Sequence, residues 1–182
     1  DGQASVKALV DKAIANGMRG IALTDHGNMF GIKELTDYVN KKNKDVDGEI
    51  KNLKKTIEEL KSADAVDQEA LSKAETALKE AESKIFTPII GCEMYVADND
   101  MTDRSNKKDI GRHLIVLAKN QHGYHNLIKL VSNAWTDGYY YHPRTDKKQL
   151  EKYHEDLIVC SACLGGEVPK LITAGHIEEA EK

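Results

Sequence analysis

The chain has 182 residues, 40% of them apolar and 31% charged, with a formal net charge of -4. That length suits one domain, or one domain with an extension, and the negative balance excludes the basic footprint of a self-sufficient nucleic-acid binder. No apolar run approaches a membrane span and no signal peptide opens the chain, while three cysteines, an odd number, argue for a reduced, cytoplasmic setting rather than a disulfide framework.

Residues 5–16 place Val6, Leu9, Val10, Ala13 and Ile14 on one helical face, with Ser5 as N-cap and Asn16-Gly17 as the stop. An apolar run at 20–24 follows directly and reads as a buried strand, ending in Asp25, His26 and Gly27. In α/β folds, chemistry collects at such strand ends because a rigid sheet holds the loop. A second amphipathic helix is expected from near Phe30 through Leu35, Tyr38 and Val39. Composition shifts at 41. Residues 41–85 lack proline and aromatics, and they alternate Lys and Glu around a sparse apolar set. Ile50, Leu53, Ile57 and Leu60 step by 3, 4 and 3, and Leu71, Ala74, Leu78, Ala81 and Ile85 continue the alternation. Two short heptad runs around the polar turn 62–67 predict an antiparallel helical hairpin, capped by Asp64 or Asp67. The hairpin reads as an insertion between residues 1–40 and 86–182. It is either a solvated protrusion or a docking arm for a partner.

The core pattern resumes at 88–97, where Ile89, Ile90, Met94, Tyr95 and Val96 predict a strand interrupted by Gly91-Cys92-Glu93. Residues 98–110 read as a surface loop whose Asp98-x-Asp100 is an exposed turn rather than a metal pair. A third strand at 113–118 is led by His113. A helix from about 122 to 134 carries Tyr124, Leu127, Ile128 and Val131 inward. A Tyr-rich loop at 138–146 precedes a short helix near 147–153, and a fourth strand, 157–167, ends in Cys163 and two glycines. Strands alternating with helices predict an α/β fold with a parallel sheet or barrel.

Four chemically capable residues occupy comparable addresses. His26 and Cys163 lie just past strand ends, while Glu93 and His113 lie within or at the start of strands. Imidazole, carboxylate and thiolate are ligands for Zn²⁺, Mn²⁺ or Fe²⁺, and a buried Glu93 requires a cation or hydrogen bonds. Each also has a structural alternative: His113 as a satisfied core histidine, Cys163 as a small hydrophobe. Cys160 and Cys163 form a CxxC, but no second pair completes a zinc ribbon, and Cys160 reads as packed on its strand. His122, His125, His142, His154 and His176 lie on polar helices or loops, outside the expected site.

The blocks TDHGNMFG, IGCEMYVA, HLIVLAKNQHGYHNLIKLVSNA, GYYYHPRTD and LIVCSACLGGEVP, in this order, resemble the polymerase-and-histidinol-phosphatase (PHP) domain of bacterial DNA polymerase III alpha subunits. The resemblance covers residues 1–40 and 86–182. It implies a distorted (β/α)₇ TIM-like barrel, partial here and carrying the hairpin as an insertion, with up to three metal ions at the C-terminal ends of its strands. It implies Asp1, His26, Glu93, His113 and Cys163 as metal ligands, with Asp25 orienting or supporting them. A His-x-His before Asp1 and an Asp-x-His after Lys182 belong to the family pattern and are not in this sequence. The chain also opens at Asp1 without Met, so it reads as an excised fragment. The implied function is that of a PHP module at the N-terminal end of a replicative DNA polymerase, with a potential metal-dependent phosphoesterase or exonuclease-type site. The full-length protein would hold divalent Zn, Mn or Fe; the fragment would hold metal weakly or in part and be inactive alone. Implied partners are the rest of the alpha subunit, the proofreading exonuclease subunit, and DNA through the full-length protein. The rival readings are a free-standing phosphoesterase of the histidinol-phosphatase kind and a non-catalytic scaffold. The blocks at 119–146 match the polymerase subunit, and a free enzyme has no reason to reproduce them.

Overall fold

Helix α1 (Val6–Ala15) begins where the Ser5 hydroxyl accepts the Ala8 N–H at 3.2 Å, and it buries Val10 and Ala13. It stops at Asn16, beyond which Gly17 takes φ +72°. A computed structural model describes residues 4–63 and 67–181; Asp1 and Asp64, named above as ligand and cap, lie outside them. The chain divides into two compact units, Asp1–Ile21 with Lys33–Pro88, and Ala22–Ile32 with Ile89–Lys182.

In the first unit the helix expected to end near residue 40 does not end there. Helix α2 (Ile32–Lys61) is continuous over 30 residues. Its middle runs through Asn43, Asp45, Val46, Asp47 and Gly48, weak helix formers, and is held by tertiary contacts instead, Lys42 with Asp11 at 2.7 Å and the Asn43 amide with Phe86, so the shift in composition at 41 carries no break in the backbone. Helix α3 (Gln68–Ser83) starts at Asp67, whose carboxylate accepts the N–H groups of Glu69 and Ala70, each at 3.1 Å. Ion pairs Lys54–Glu82 at 3.4 Å and Lys61–Glu75 at 3.0 Å set α2 and α3 antiparallel, with Ile57 and Ala81 buried. The base is closed by the Asn43 amide, which donates to Phe86 O at 2.8 Å and accepts the Phe86 N–H at 3.1 Å. On α1, Asp11 meets Lys42 at 2.7 Å and the Tyr38 hydroxyl at 2.8 Å, and these partners lower its pKa.

The sheet is mixed. Strands β1 (Gly20–Leu23), β2 (Thr87–Val96), β3 (Arg112–Ala118), β4 (Tyr139–Tyr140), β5 (His142–Thr145) and β6 (Leu157–Ser161) order as β4-β5-β2-β3-β6, with β1 also pairing β2. The parallel sheet expected from the sequence is therefore corrected: β2–β3 and β3–β6 are antiparallel, and β2–β5 is parallel. A helix-free loop of residues 97–111 joins β2 to β3, which returns antiparallel along it. Nor is β2 interrupted at Gly91-Cys92-Glu93. Alternation divides the β2–β3 pair into two faces. Cys92, Met94 and Val116 form one core with Leu127 and Leu130 of helix α4 (Gln121–Thr136). Glu93 and Tyr95 lie on the opposite face, with His113 directly across from Tyr95.

The Tyr-rich segment read as a loop is the hairpin β4–β5, turning through Tyr141 at φ +60°. Its polar sequence hides a strand whose last two residues, Arg144 and Thr145, are fully buried. The guanidinium donates to the carbonyls of Asp109 at 2.9 Å, Met101 at 3.0 Å and Asp103 at 2.8 Å. The 98–110 segment is thus a pinned loop with Met101 and Asp109 buried, rather than a free surface one. Short helices α5 (Lys147–Lys152), α6 (Glu167–Thr173) and α7 (Ile177–Ala180) complete the second unit. Among the described residues, no helix is long and apolar enough to cross a membrane.

Candidate metal centre

The loop after β1 is held by backbone bonds to β2. Glu93 N–H donates to Asp25 O at 3.0 Å and Gly27 N–H donates to Glu93 O at 2.9 Å, so His26 and Glu93 sit side by side as a parallel bridge. Gly27 takes φ +64°, and a Cβ there would lie 2.6 Å from Pro143 Cγ. Only glycine serves this turn. Gly27→Ala is expected to cost about 2–4 kcal/mol, from left-handed strain plus the clash. Urea unfolding followed by Trp135 fluorescence checks this, and a cost below about 0.5 kcal/mol would contradict it. Asp25 turns its carboxylate to the Gly31 N–H at 3.0 Å, which fixes the 25–31 loop.

The other donors arrive from β3 and from the end of β6. His113 N–H donates to Gly165 O at 3.2 Å, and a Cβ on Gly165 would lie 3.1 Å from the His113 ring. Gly165 thus lets the chain pass against the imidazole, and Gly166 lets it pass the His113 carbonyl, 3.1 Å from where a Cβ would lie. The Gly165 N–H donates to Cys163 Sγ at 3.3 Å, setting the thiol's position.

These elements bring four of the sequence-predicted donors together. Glu93 Oε1 lies 2.7 Å from His113 Nδ1, and Glu93 Oε2 lies 3.7 Å from His26 Nδ1. One ligand atom from each of His26, Glu93 and His113 falls within 4.8 Å of the others. Cys163 Sγ is 3.3 Å from His113 Nδ1 and 3.9 Å from Glu93 Oε1. Two imidazoles, one carboxylate and one thiol, on segments tied together by these backbone bonds, suit a borderline divalent cation. The cluster is one that could hold such an ion.

Two cysteines differ from the thiol at the cluster. Cys92, on the core face, has its pKa pushed up to about 12 by burial and serves as a hydrophobe. Cys160, expected to be packed, is exposed instead. It pairs with Ile115 on the sheet face that carries Glu93, and β6 is an outer strand of the sheet order.

The expected site omitted Tyr95 and His142. Tyr95 meets His113 edge-on at 5.1 Å between centroids, lies 6.2 Å from His26, and stacks on His142 at 4.4 Å. Burial, reinforced by the Glu93 charge, raises the Tyr95 pKa. The i,i+2 spacing of Glu93 and Tyr95 carries a signal for the shared face. Nothing local carries one for His142, which reaches the site only because β5 pairs with the end of β2. The remaining histidines stay elsewhere: His122, for instance, bonds Asp156 at 3.0 Å.

The sequence profile of the PHP domain matches residues 1–182. DNA polymerase III subunit alpha of Borreliella burgdorferi is 38% identical over 186 residues, covering all of this chain and 12% of that protein. The subunit of the same name from Treponema pallidum is 38% identical over 185 residues, with the same shares. The one from Chlamydia muridarum is 34% identical over 170 residues, covering 92% of this chain and 10% of that protein. The chain therefore spans about one eighth of the length of the first of these curated relatives. Matched along its whole length, the chain belongs to the PHP domain family.

Proposed function

We propose that this chain is the PHP module of a longer replicative DNA polymerase alpha subunit, and that its cluster performs metal-assisted hydrolysis of a phosphoester. The observation that carries the site is the meeting of His26, Glu93, His113 and Cys163 from four chain segments. On this reading all four are metal ligands, with Asp1 as a fifth. Bound Zn²⁺, Mn²⁺ or Fe²⁺ would lower the pKa of a water and neutralise phosphate oxygens. Glu93 presents one oxygen toward each imidazole, and Asp25, through Gly31, keeps the loop that carries His26 in place. Tyr95, edge-on to the His113 ring at 5.1 Å, forms one side of the cluster.

The sheet would form part of a distorted barrel in the longer polypeptide. Nucleotidyl transfer would belong to regions outside these residues, and the setting would be cytoplasmic. Partners would be the rest of the alpha subunit, DNA through it, and the proofreading exonuclease subunit. Primed-template assays test the division of labour. This chain alone should incorporate no nucleotide, and the full-length protein should lose hydrolysis of bis(p-nitrophenyl) phosphate, but not polymerisation, on Glu93→Gln. Templated extension by this chain alone, or unchanged hydrolysis in the variant, would refute the assignment.

The hairpin of residues 41–85 is, in the same proposal, an insertion. Deleting it and joining its ends should leave the cooperative transition seen by Trp135 in place. Loss of that transition would mean that the hairpin is part of the fold.

A further inference from the structure

We infer that the Tyr95 hydroxyl gives its proton to the leaving oxygen when the cluster cleaves its substrate, and that this substrate is a phosphodiester of an aliphatic alcohol. The inference rests on the phosphoesterase reading above and specifies the ester and the proton donor.

The Tyr95 ring is gripped on several sides. It meets His113 edge-on at 5.1 Å and 89°, lies 6.2 Å from His26, and stacks on His142 at 4.4 Å and 14°. Two glycines crowd it as well. A Cβ on Gly27 would lie 3.2 Å from Tyr95 Cε2, and one on Gly111 would lie 2.7 Å from Tyr95 Cβ. Both glycines take positive φ, +64° and +89°, so the turns that pass the ring are made for it. A tyrosine packed this closely ordinarily ties its hydroxyl to a partner too. Here the ring is half-buried, and among the described residues the hydroxyl has no hydrogen-bond partner. The group is held against the cluster with its donor uncommitted.

The chemistry of the neighbours then assigns the role. His26, Glu93, His113 and Cys163 bind a cation only with their ligand atoms deprotonated, so none of them has a proton to give. The Asp25 carboxylate is an acceptor, engaged by the Gly31 N–H at 3.0 Å. Tyr95 is the proton carrier that contacts a ligand ring without being a ligand. A phenol suits one kind of ester. An alkoxide leaves poorly unless it is protonated as it departs, whereas a nitrophenolate departs without a proton.

The step balances. Water attacks phosphorus, the P–O bond to the alcohol breaks, and its electron pair leaves with the alcohol oxygen, which takes the phenolic proton. The attacking water releases one proton to solvent, and solvent returns one to the phenolate. One diester and one water give one monoester and one alcohol.

Two esters with one cluster test this. The full-length protein and its Tyr95→Phe variant, in equal Mn²⁺, are given the dinucleoside phosphate of thymidine, which releases a sugar alcohol, and bis(p-nitrophenyl) phosphate. Phenylalanine keeps the ring, so metal content and unfolding midpoint should not change. Thymidine release should slow about 100- to 10,000-fold, the usual contribution of a positioned proton donor, while the aryl ester should stay within a few-fold. Equal slowing of both esters, slowing of neither, or slowing that follows a loss of metal overturns the inference. So does leaving-group dependence that appears in His142→Phe rather than in Tyr95→Phe, which would make the imidazole the donor. Cleavage of the aryl ester but not of the dinucleoside phosphate by the unaltered protein overturns this inference and leaves the phosphoesterase reading standing. Cleavage of neither removes both.

Discussion

Arg144→Met should destabilise the second unit by about 3–5 kcal/mol, the cost of breaking a buried ion pair from one side. The guanidinium is 0% exposed, and its Nη1 lies 3.3 Å from Asp109 Oδ2 as well as on the Asp109 carbonyl. Methionine fills the volume but donates nothing, so the carbonyls of Met101, Asp103 and Asp109 lose this donor, and the Asp109 carboxylate keeps only the N–H groups of Asp98 and Gly111. Arg144→Lys should recover only part of the loss, because one ammonium cannot reproduce a planar fork aimed at several acceptors. Urea unfolding by Trp135 fluorescence gives both numbers. A cost below about 1 kcal/mol for the methionine variant would mean that the 98–110 loop does not depend on this staple.

Glu93→Gln should all but abolish metal retention. The proposed carboxylate ligand lies between the two imidazoles, and its loss removes the only negative oxygen donor among the described members of the cluster. Losses of at least about 100-fold in affinity are expected when a direct ligand goes, since weaker supporting contacts already cost about 10–100-fold. Metal content after dialysis against a mild chelator should therefore fall well below that of the unaltered protein. Ligand atoms must be deprotonated to bind, so retention should also fall as pH is lowered. On the proposed reading, with further ligands supplied by the longer polypeptide, this chain alone should hold metal weakly or in part, and the full-length protein tightly. Equal metal content in the Glu93→Gln and unaltered full-length proteins would remove the cluster from consideration.

The donors that meet were visible in the sequence because each combined a ligating side chain with a strand or a strand end. His26 followed an apolar run into a glycine turn, and Cys163 preceded two glycines, of which Gly165 lies against the His113 ring. Strand direction was less legible. The alternation of strands with helices argued for parallel pairing, and nothing in the polar 98–110 segment told that β3 runs back along β2. Arg144 and His142 were hidden for one reason. A polar stretch such as His-Pro-Arg-Thr resembles a loop until its acceptors, 35 to 43 positions away for Arg144, are folded around it. The continuous α2 was hidden by the opposite error, a change of composition mistaken for a change of structure.

The two-faced β2–β3 ribbon bears on how such a domain can change over generations. The residues that fill the core, Cys92, Met94 and Val116, alternate with those that offer donors, Glu93 and His113, and neither set occupies the other's side. Selection can therefore act on chemistry and on folding through different positions of the same strands. A lineage that exchanged both donors for inert side chains would forfeit the proposed ion site and keep the apolar packing against α4. The same polypeptide could then persist as a mounting plate for neighbouring parts without any chemistry at that face.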